Sequence, residues 1–399
     1  MTAILARRIA CATVCVLAAL AARVAAGQYT VELRGGEAAI AAAGVTALPQ
    51  GLEIRNSDAR SGERRELLAW DLVRAISASD ASVRPPGSDM MPMASDLWRA
   101  RVRIERGDTG LARPLLERHS ARFLGLDGPT AQLVWEGLLR CAIEAGEPRE
   151  SVVPWLECLR LGSDGVPSRF PALEPELDDG TGLLPSLPPF VPAEGREALA
   201  ALCERGAGVA QAANPAASRS ASVALAARVG VRLGRLMRIA GGASLAAEAP
   251  AARGEALAPA ERALMLLEAI VVAPDARSRA EEIVAFDRAF AEPAPFLASW
   301  RLAAIGAGAA RDAGAVADPA ARIAALESAA IELLAVPASG LDRTGLVDAY
   351  ALEEAARLVR EAGNAQLAAQ LESLRDERLT RRGLPTSSET TGPATETRP

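Results

Sequence analysis

From Ser95 to about residue 379, apolar side chains recur every three to four positions, and glycine or proline breaks the pattern at intervals. That period gathers apolar groups on one side of a helix, and the breaks are helix stops and starts. Such a chain must lay helices against one another to bury its stripes. In "LWRARVRIERG" Leu97, Trp98, Ala100, Val102 and Ile104 crowd one side, and Gly107 ends the helix. Asp108 or Thr109 caps the next helix, whose Leu111, Leu115, Leu116 and Phe123 share a face. The design repeats in "AQLVWEGLLRCAIEAGEPRESVVPWLECLRL". There Trp135, Leu138, Leu139, Ala142 and Ile143 form a stripe, Gly146 turns the chain, and Pro148 opens a helix presenting Val152, Trp155, Leu156 and Leu159. Pro114 and Pro154 fall inside the second helix of each pair, so these helices are expected to kink or start late. Further helices are expected at 195–213, 216–240, 259–273, 276–291, 295–312, 319–336 and 346–379, the last turning at Gly363-Asn364.

Trp135, Leu138, the turn at Gly146, the small Ser151, the aromatic Trp155 and the small Cys158 resemble the large-and-small pattern of the tetratricopeptide repeat. The hairpin before it shares the Gly107-Asp108 turn and Ala112 but places Arg103 where an apolar residue is usual. Its turn glycine lies about 39 residues upstream, where the repeat uses about 34. The resemblance covers residues 97–161 and returns at 348–375. It implies stacked helix pairs with a groove that binds a protein or peptide without chemistry. Much of the chain also resembles exported proteins of GC-rich bacteria.

Composition supports a mainly α fold. Half of the residues are hydrophobic, chiefly Ala, Leu and Val, whereas aromatics make up 3%. That balance favours helices over a large sandwich or barrel. The exception is residues 27–84, where "YTVELRGG", "GVTAL", "LEIRN" and "RRELLAWDLV" are short runs separated by turns such as "PQG" and "SDARSGE", a small β unit. The net charge is −6, which excludes the basic field that nucleic-acid binding needs. The sequence contains no lysine, so all 44 basic side chains are arginine.

The first 26 residues read as a signal peptide. Arg7 and Arg8 precede an apolar run from Ile9 to Ala22, and Val24-Ala25-Ala26 supplies small residues for cleavage before Gly27. The run is too short to span a bilayer, and no later segment is long and uncharged enough to do so. Export to the periplasm or beyond is therefore expected. Between the helical hairpins at 95–161 and the helical array at 196–380 lies a Pro/Gly-rich stretch, 162–195, either a linker or an ordered strap over a groove. Residues 381–399 read as a disordered tail.

The sequence offers little chemistry. His119, the only histidine, shares a helical face with Leu115 and Phe123 and points toward the partner helix, where a structural role is expected. One histidine and the three widely spaced cysteines beyond the leader, Cys141, Cys158 and Cys203, supply no metal site. Cys141 and Cys158 flank the Gly146 turn but are about four residues out of register, an axial offset of about 6 Å, so no disulfide is expected. No phosphate loop, dinucleotide fingerprint or nucleophile elbow is present, and no cofactor or catalytic residue is assigned. Asp178 and Asp179 lack the alternating ligands of a calcium loop.

The most directional feature is "LAARVGVRLGRLMRIAGG". Arg228, Arg232, Arg235 and Arg238 lie on one arc of a helix, and Leu225, Val229, Leu233, Leu236 and Met237 on the other. These arginines are the candidate partner-binding residues, for an acidic protein or peptide or for an anionic membrane surface, unless neighbouring carboxylates pair with them. The expectation is thus an exported, non-enzymatic interaction or scaffold module of the bacterial envelope. The competing expectation is a cell-wall or glycan-cleaving enzyme using two Asp/Glu carboxylates.

Overall fold

A computed structural model of the chain describes residues 28–58, 62–213, 220–243 and 257–381. The leader, the tail beyond residue 381 and most of the loose stretch at 241–258 lie outside the described residues. The chain is mainly α with a small N-terminal β portion. It divides into two compact units, one comprising residues up to Cys141 with Gly165–Phe170, the other Ala142–Asp164 with everything from Pro171 on.

In the first unit, β1 (Tyr29–Leu33), β2 (Ile40–Ala42) and β6 (Val73–Ala78) form one antiparallel sheet in the order β2-β1-β6. A second antiparallel sheet orders β3 (Gly44–Leu48), β4 (Gly51–Asp58) and β5 (Gly62–Leu68) sequentially. Leu48 pairs with Gly51, so Pro49-Gln50 makes the tight turn that the sequence predicts. The run "RRELLAWDLV" is not one strand. It breaks at a short 3-10 turn, Trp70–Leu72, and its two ends join different sheets. Trp70 is fully buried there, its indole N–H donating to the Leu48 carbonyl at 2.9 Å. Side-chain burial, absent from a period-two pattern, forces that break. The Ala-rich β2 is also missing from the sequence reading, because it carries one β-branched residue only.

Three helices follow: α1 (Met91–Glu105), α2 (Thr109–Phe123) and α3 (Pro129–Glu144), the last running into the second unit. α1 starts before Ser95 because Pro92 sits in its first turn, where the missing N–H costs nothing. On α2 the buried stripe is Ala112, Leu116 and Phe123, and Leu111 is exposed rather than shared with that face. A mid-helix glycine lets α3 approach closely: a Cβ on Gly137 would lie 2.7 Å from a Leu116 methyl and 3.0 Å from an Ile104 methyl.

The second unit holds α4 (Pro148–Ser163), α5 (Arg196–Ala213), α6 (Ala221–Ala240), α7 (Pro259–Val272), α8 (Ala276–Ala289), α9 (Pro295–Ala315), α10 (Pro319–Ser339), α11 (Leu346–Glu361) and α12 (Ala365–Arg381). Neighbours pack in succession, α5 on α6, α6 on α7 and α7 on α8, then α9 on α10, α10 on α11 and α11 on α12. Asp275 and Asp318 cap α8 and α10 by accepting from backbone N–H groups at 2.7 Å. Neither α2 nor α4 breaks at its internal proline. Both begin directly after their turn and run through Pro114 and Pro154, because apolar burial along the helix outweighs one missing hydrogen bond.

The Pro/Gly-rich stretch from residue 171 to 195 is an ordered strap. Leu183, Leu184, Leu187, Phe190 and Val191 are buried, and the Trp155 indole N–H donates to the Gly182 carbonyl at 3.1 Å. Gly182 has φ +73°, and a Cβ there would sit 2.8 Å from a Leu159 methyl, so glycine is required twice over. The strap ends on α11. Phe190 meets the Tyr350 ring at 5.4 Å, and Arg196 donates to the Val191 carbonyl while its guanidinium lies 5.5 Å from that ring. The Tyr350 hydroxyl donates to the carbonyl of Ala240 at the end of α6, at 3.1 Å. Burial pushes this hydroxyl far above its ordinary pKa, so it remains a donor throughout the working pH range.

Replacing Tyr350 with Phe keeps the ring and strands the Ala240 carbonyl. The expected loss is about 1–3 kcal/mol of unfolding free energy, measured by denaturant titration with an unchanged slope.

Candidate functional site

His119 lies in the first helical hairpin, facing α1. Its Nε2 is 3.1 Å from Asp96 Oδ2, with both side chains largely buried, and Arg118 donates to the same oxygen at 2.7 Å. Burial raises the Asp96 pKa, but the hydrogen bonds from His119 and Arg118 outweigh it and leave the carboxyl below its ordinary range. A carboxylate therefore orients the imidazole, but among the described residues no hydroxyl or thiol is bonded to it. These contacts tie α2 to α1.

Cys141, Cys158 and Cys203 are buried thiols. Cys141 Sγ reaches the Thr109 carbonyl at 3.5 Å. Burial, aided by Glu204, pushes the Cys203 thiol up to about 12, so it carries no thiolate at neutral pH. Among the described residues no group of three or more His, Cys, Asp or Glu is arranged to hold a metal. Asp178 closes its own turn, accepting from the Thr181 N–H at 2.8 Å and hydroxyl at 2.6 Å.

The arginine arc of α6 meets carboxylates of the neighbouring helices. Arg228 bonds Glu261 at 3.1 Å, and Arg235 bonds Glu268 at 2.7 Å, both acceptors belonging to α7. Arg232 lies between them, 3.9 Å from Glu261 and 3.7 Å from Glu268. Arg238 turns the other way, to Glu197 and Glu204 of α5, whose hydrogen bonds raise its pKa further. Periodicity displays the stripe, but the carboxylates that neutralise it stand about 33 residues away. Among the four, Arg228 keeps the most exposed side chain.

Several buried carboxylates are likewise engaged by arginine. Asp71, with no solvent exposure, binds Arg101 at 2.7 Å and Arg169 at 3.2 Å. Glu136 accepts from the Ser168 hydroxyl at 2.6 Å and the Arg169 N–H at 2.8 Å, with Arg140 at 3.5 Å. Glu157 pairs with Arg160 at 2.9 Å, each about 1% exposed. The segment Gly165–Phe170 is thus stitched to the first unit by ionic contacts and by Phe170 under Arg140, 5.4 Å from ring centre to guanidinium.

The second unit contains a half-open cavity of about 270 Å³. Ala142, Ile143, Gly146, Pro148 and Leu346 give it an apolar lining, and Ser151, Ser186, Thr344 and Glu147 add polar groups. Three sequence-distant pieces build it: the Gly146 turn, the strap, and the start of α11. The hydroxyls of Ser151 and Thr344 are committed, to the Pro148 carbonyl at 2.8 Å and to Asp342 at 2.7 Å. The Ser186 hydroxyl oxygen is buried and has no hydrogen-bond partner. The Gly146 turn is legible in the sequence. Its juxtaposition with Ser186 and Thr344 carries no local signal.

The chain matches no known protein family, no curated protein and no solved structure. Among the described residues no helix is long and apolar enough to cross a membrane.

Two outcomes follow from these ties. Because the folded pKa of Asp96 lies below its unfolded value, its stabilisation is complete above about pH 4 and is lost as pH falls further. An Asp96→Asn variant should therefore show a shallower acid limb in denaturation midpoint against pH, with His119→Gln intermediate. On α6, Arg235→Gln leaves the mostly buried Glu268 short of a partner and should cost about 1–3 kcal/mol by denaturant titration. Arg228→Gln leaves Glu261, buried more deeply than Glu268, with only Arg232 at 3.9 Å, and should cost a similar amount.

Proposed function

We propose that this protein is an exported, non-enzymatic interaction module of the bacterial envelope or periplasm, built on tetratricopeptide-like helix pairs. The reading joins the signal-like leader of residues 1–26 and the large-and-small pattern around Gly146 to the helices that pack in successive pairs. The observation that carries it is the cavity beside the Gly146 turn. Its apolar lining suits one inserted aliphatic side chain, and the partnerless Ser186 hydroxyl suits a polar group beside it. A partner's backbone or side-chain amide satisfies that hydroxyl, which otherwise bears the cost of an unmade hydrogen bond. The engagement of Asp71, Glu136, Glu157 and Glu261 by arginine also favours this reading over the glycan-cleaving alternative, which needs two carboxylates aimed into a cleft.

The test compares wild type with Ser186→Phe, which fills the cavity, in cross-linking capture from the native envelope fraction. Both proteins should melt alike, the mature chain should begin near Gly27 by N-terminal sequencing, and the variant should recover its partner about tenfold less well. Equal recovery, or release of reducing ends from cell-wall glycan by purified wild type, would overturn the reading.

A further inference from the structure

Four of the five tryptophans are buried: Trp70, Trp135, Trp155 and Trp300. Trp98, on α1 of the first unit, is only half-buried, and an arginine lies over its ring. The guanidinium carbon of Arg34, at the end of β1, lies 4.9 Å from the Trp98 ring centre. Arg34 is held there by its Nε, which donates to the Val73 carbonyl at 3.1 Å, and by its backbone N–H, which donates to Leu72. Its terminal nitrogens are thereby left as a pre-positioned fork. The next charge is Arg74 on the edge strand β6, beside which α1 packs; its side chain is 70% exposed, and Glu32 lies 3.9 Å away. Arg99, adjacent to Trp98, is exposed as well. The nearest buried carboxylate, Asp71, is already taken by Arg101 and Arg169.

These contacts leave three guanidinium groups against one loosely held carboxylate, in a protein whose net charge is negative. Arg34 registers the surplus: burial, and then the like charges of Arg99 and Arg74, lower its pKa, and Asp71 offsets them only in part. Like charges held together on a rigid strand-and-helix corner are relieved by an incoming anion. Arginine forks match carboxylates in pairs. Tryptophan and arginine together are the side chains that dominate the energetics of protein interfaces, the ring supplying apolar area at low entropic cost.

We infer that Arg34, Arg74 and Arg99 around Trp98 form a docking patch for an acidic segment of a partner protein, one in which Asp or Glu alternates with apolar side chains. Carboxylates of that segment take the free faces of the guanidinium groups, and an apolar side chain lies against the exposed part of Trp98. An isolated inorganic anion would use the charges and leave the ring unused, which is why a peptide fits the patch better.

A fluorescently labelled peptide of alternating Glu and Leu, titrated with the full chain, tests this directly. The expected result is binding that weakens about tenfold or more in an Arg34→Gln/Arg99→Gln variant and is lost with a Gln-for-Glu peptide. It should also weaken steadily as salt rises from about 50 to about 300 mM. Trp98→Phe should retain binding and Trp98→Ala should lose it, which separates a ring contact from a folding defect. Arg228→Gln, at an exposed arginine outside the patch, should bind like wild type, as should Ser186→Phe, so failure here is distinguishable from failure of the cavity reading. Absence of peptide binding, or binding indifferent to the Arg34 and Arg99 changes, would overturn the inference. So would inorganic phosphate or vesicles containing anionic phosphatidylglycerol engaging the patch in place of the peptide.

Discussion

Tyr350 is the joint on which the second unit depends. Its ring carries Phe190 at the end of the strap and the guanidinium of Arg196 at the start of α5, and its hydroxyl closes the last turn of α6. A helical array rich in alanine and leucine has shallow, repetitive surfaces that can slide past one another with small losses in packing. One large ring with a single buried donor removes that freedom, because only one register satisfies the hydroxyl and the ring's two neighbours together. The strap is ordered for the same reason. It has no regular hydrogen-bonded structure of its own, and its apolar side chains and the Trp155–Gly182 bond tie it to helices at both ends.

Charge does in the first unit what Tyr350 does in the second. Asp71 and Glu136 are buried, and the short segment Gly165–Phe170 reaches both through Ser168 and Arg169. A buried carboxylate without its arginine is costly, so such pairs select one arrangement even where they add little net stability. With arginine as the only strong base, each contact has a planar, multi-donor geometry that lysine does not offer. The consequence for function is a division of the arginines. Those on α6 are bound to Glu197, Glu204, Glu261 and Glu268, whereas Arg34 lies over the half-buried Trp98 and Arg74 reaches only Glu32, at 3.9 Å.

Much of the architecture was legible. The Gly107, Gly146 and Gly363 turns, the caps at Asp275 and Asp318 and the Pro49-Gln50 hairpin are local events, set by backbone conformations and hydrogen bonds within a few residues. The misreadings have one character. Leu111 was grouped with the buried face of α2, but the buried stripe follows Ala112 and Leu116 because α1 and α3 approach from that side. Pro114 and Pro154 predict a kink or a late start, yet both helices begin directly after their turns and continue past the proline.

By itself the sequence determined most of the helices, the helical class and the amphipathic arc of α6, because period, capping and turn chemistry act over a few residues. Only the tertiary structure decided which charges are neutralised, which aromatic remains half-open and where a cavity forms. Arg235 is bonded to Glu268 across two helices, and the cavity joins Ile143 to Leu346. Such pairings are set by how helices stack, and a pattern read along one helix contains no record of the face that packs against it.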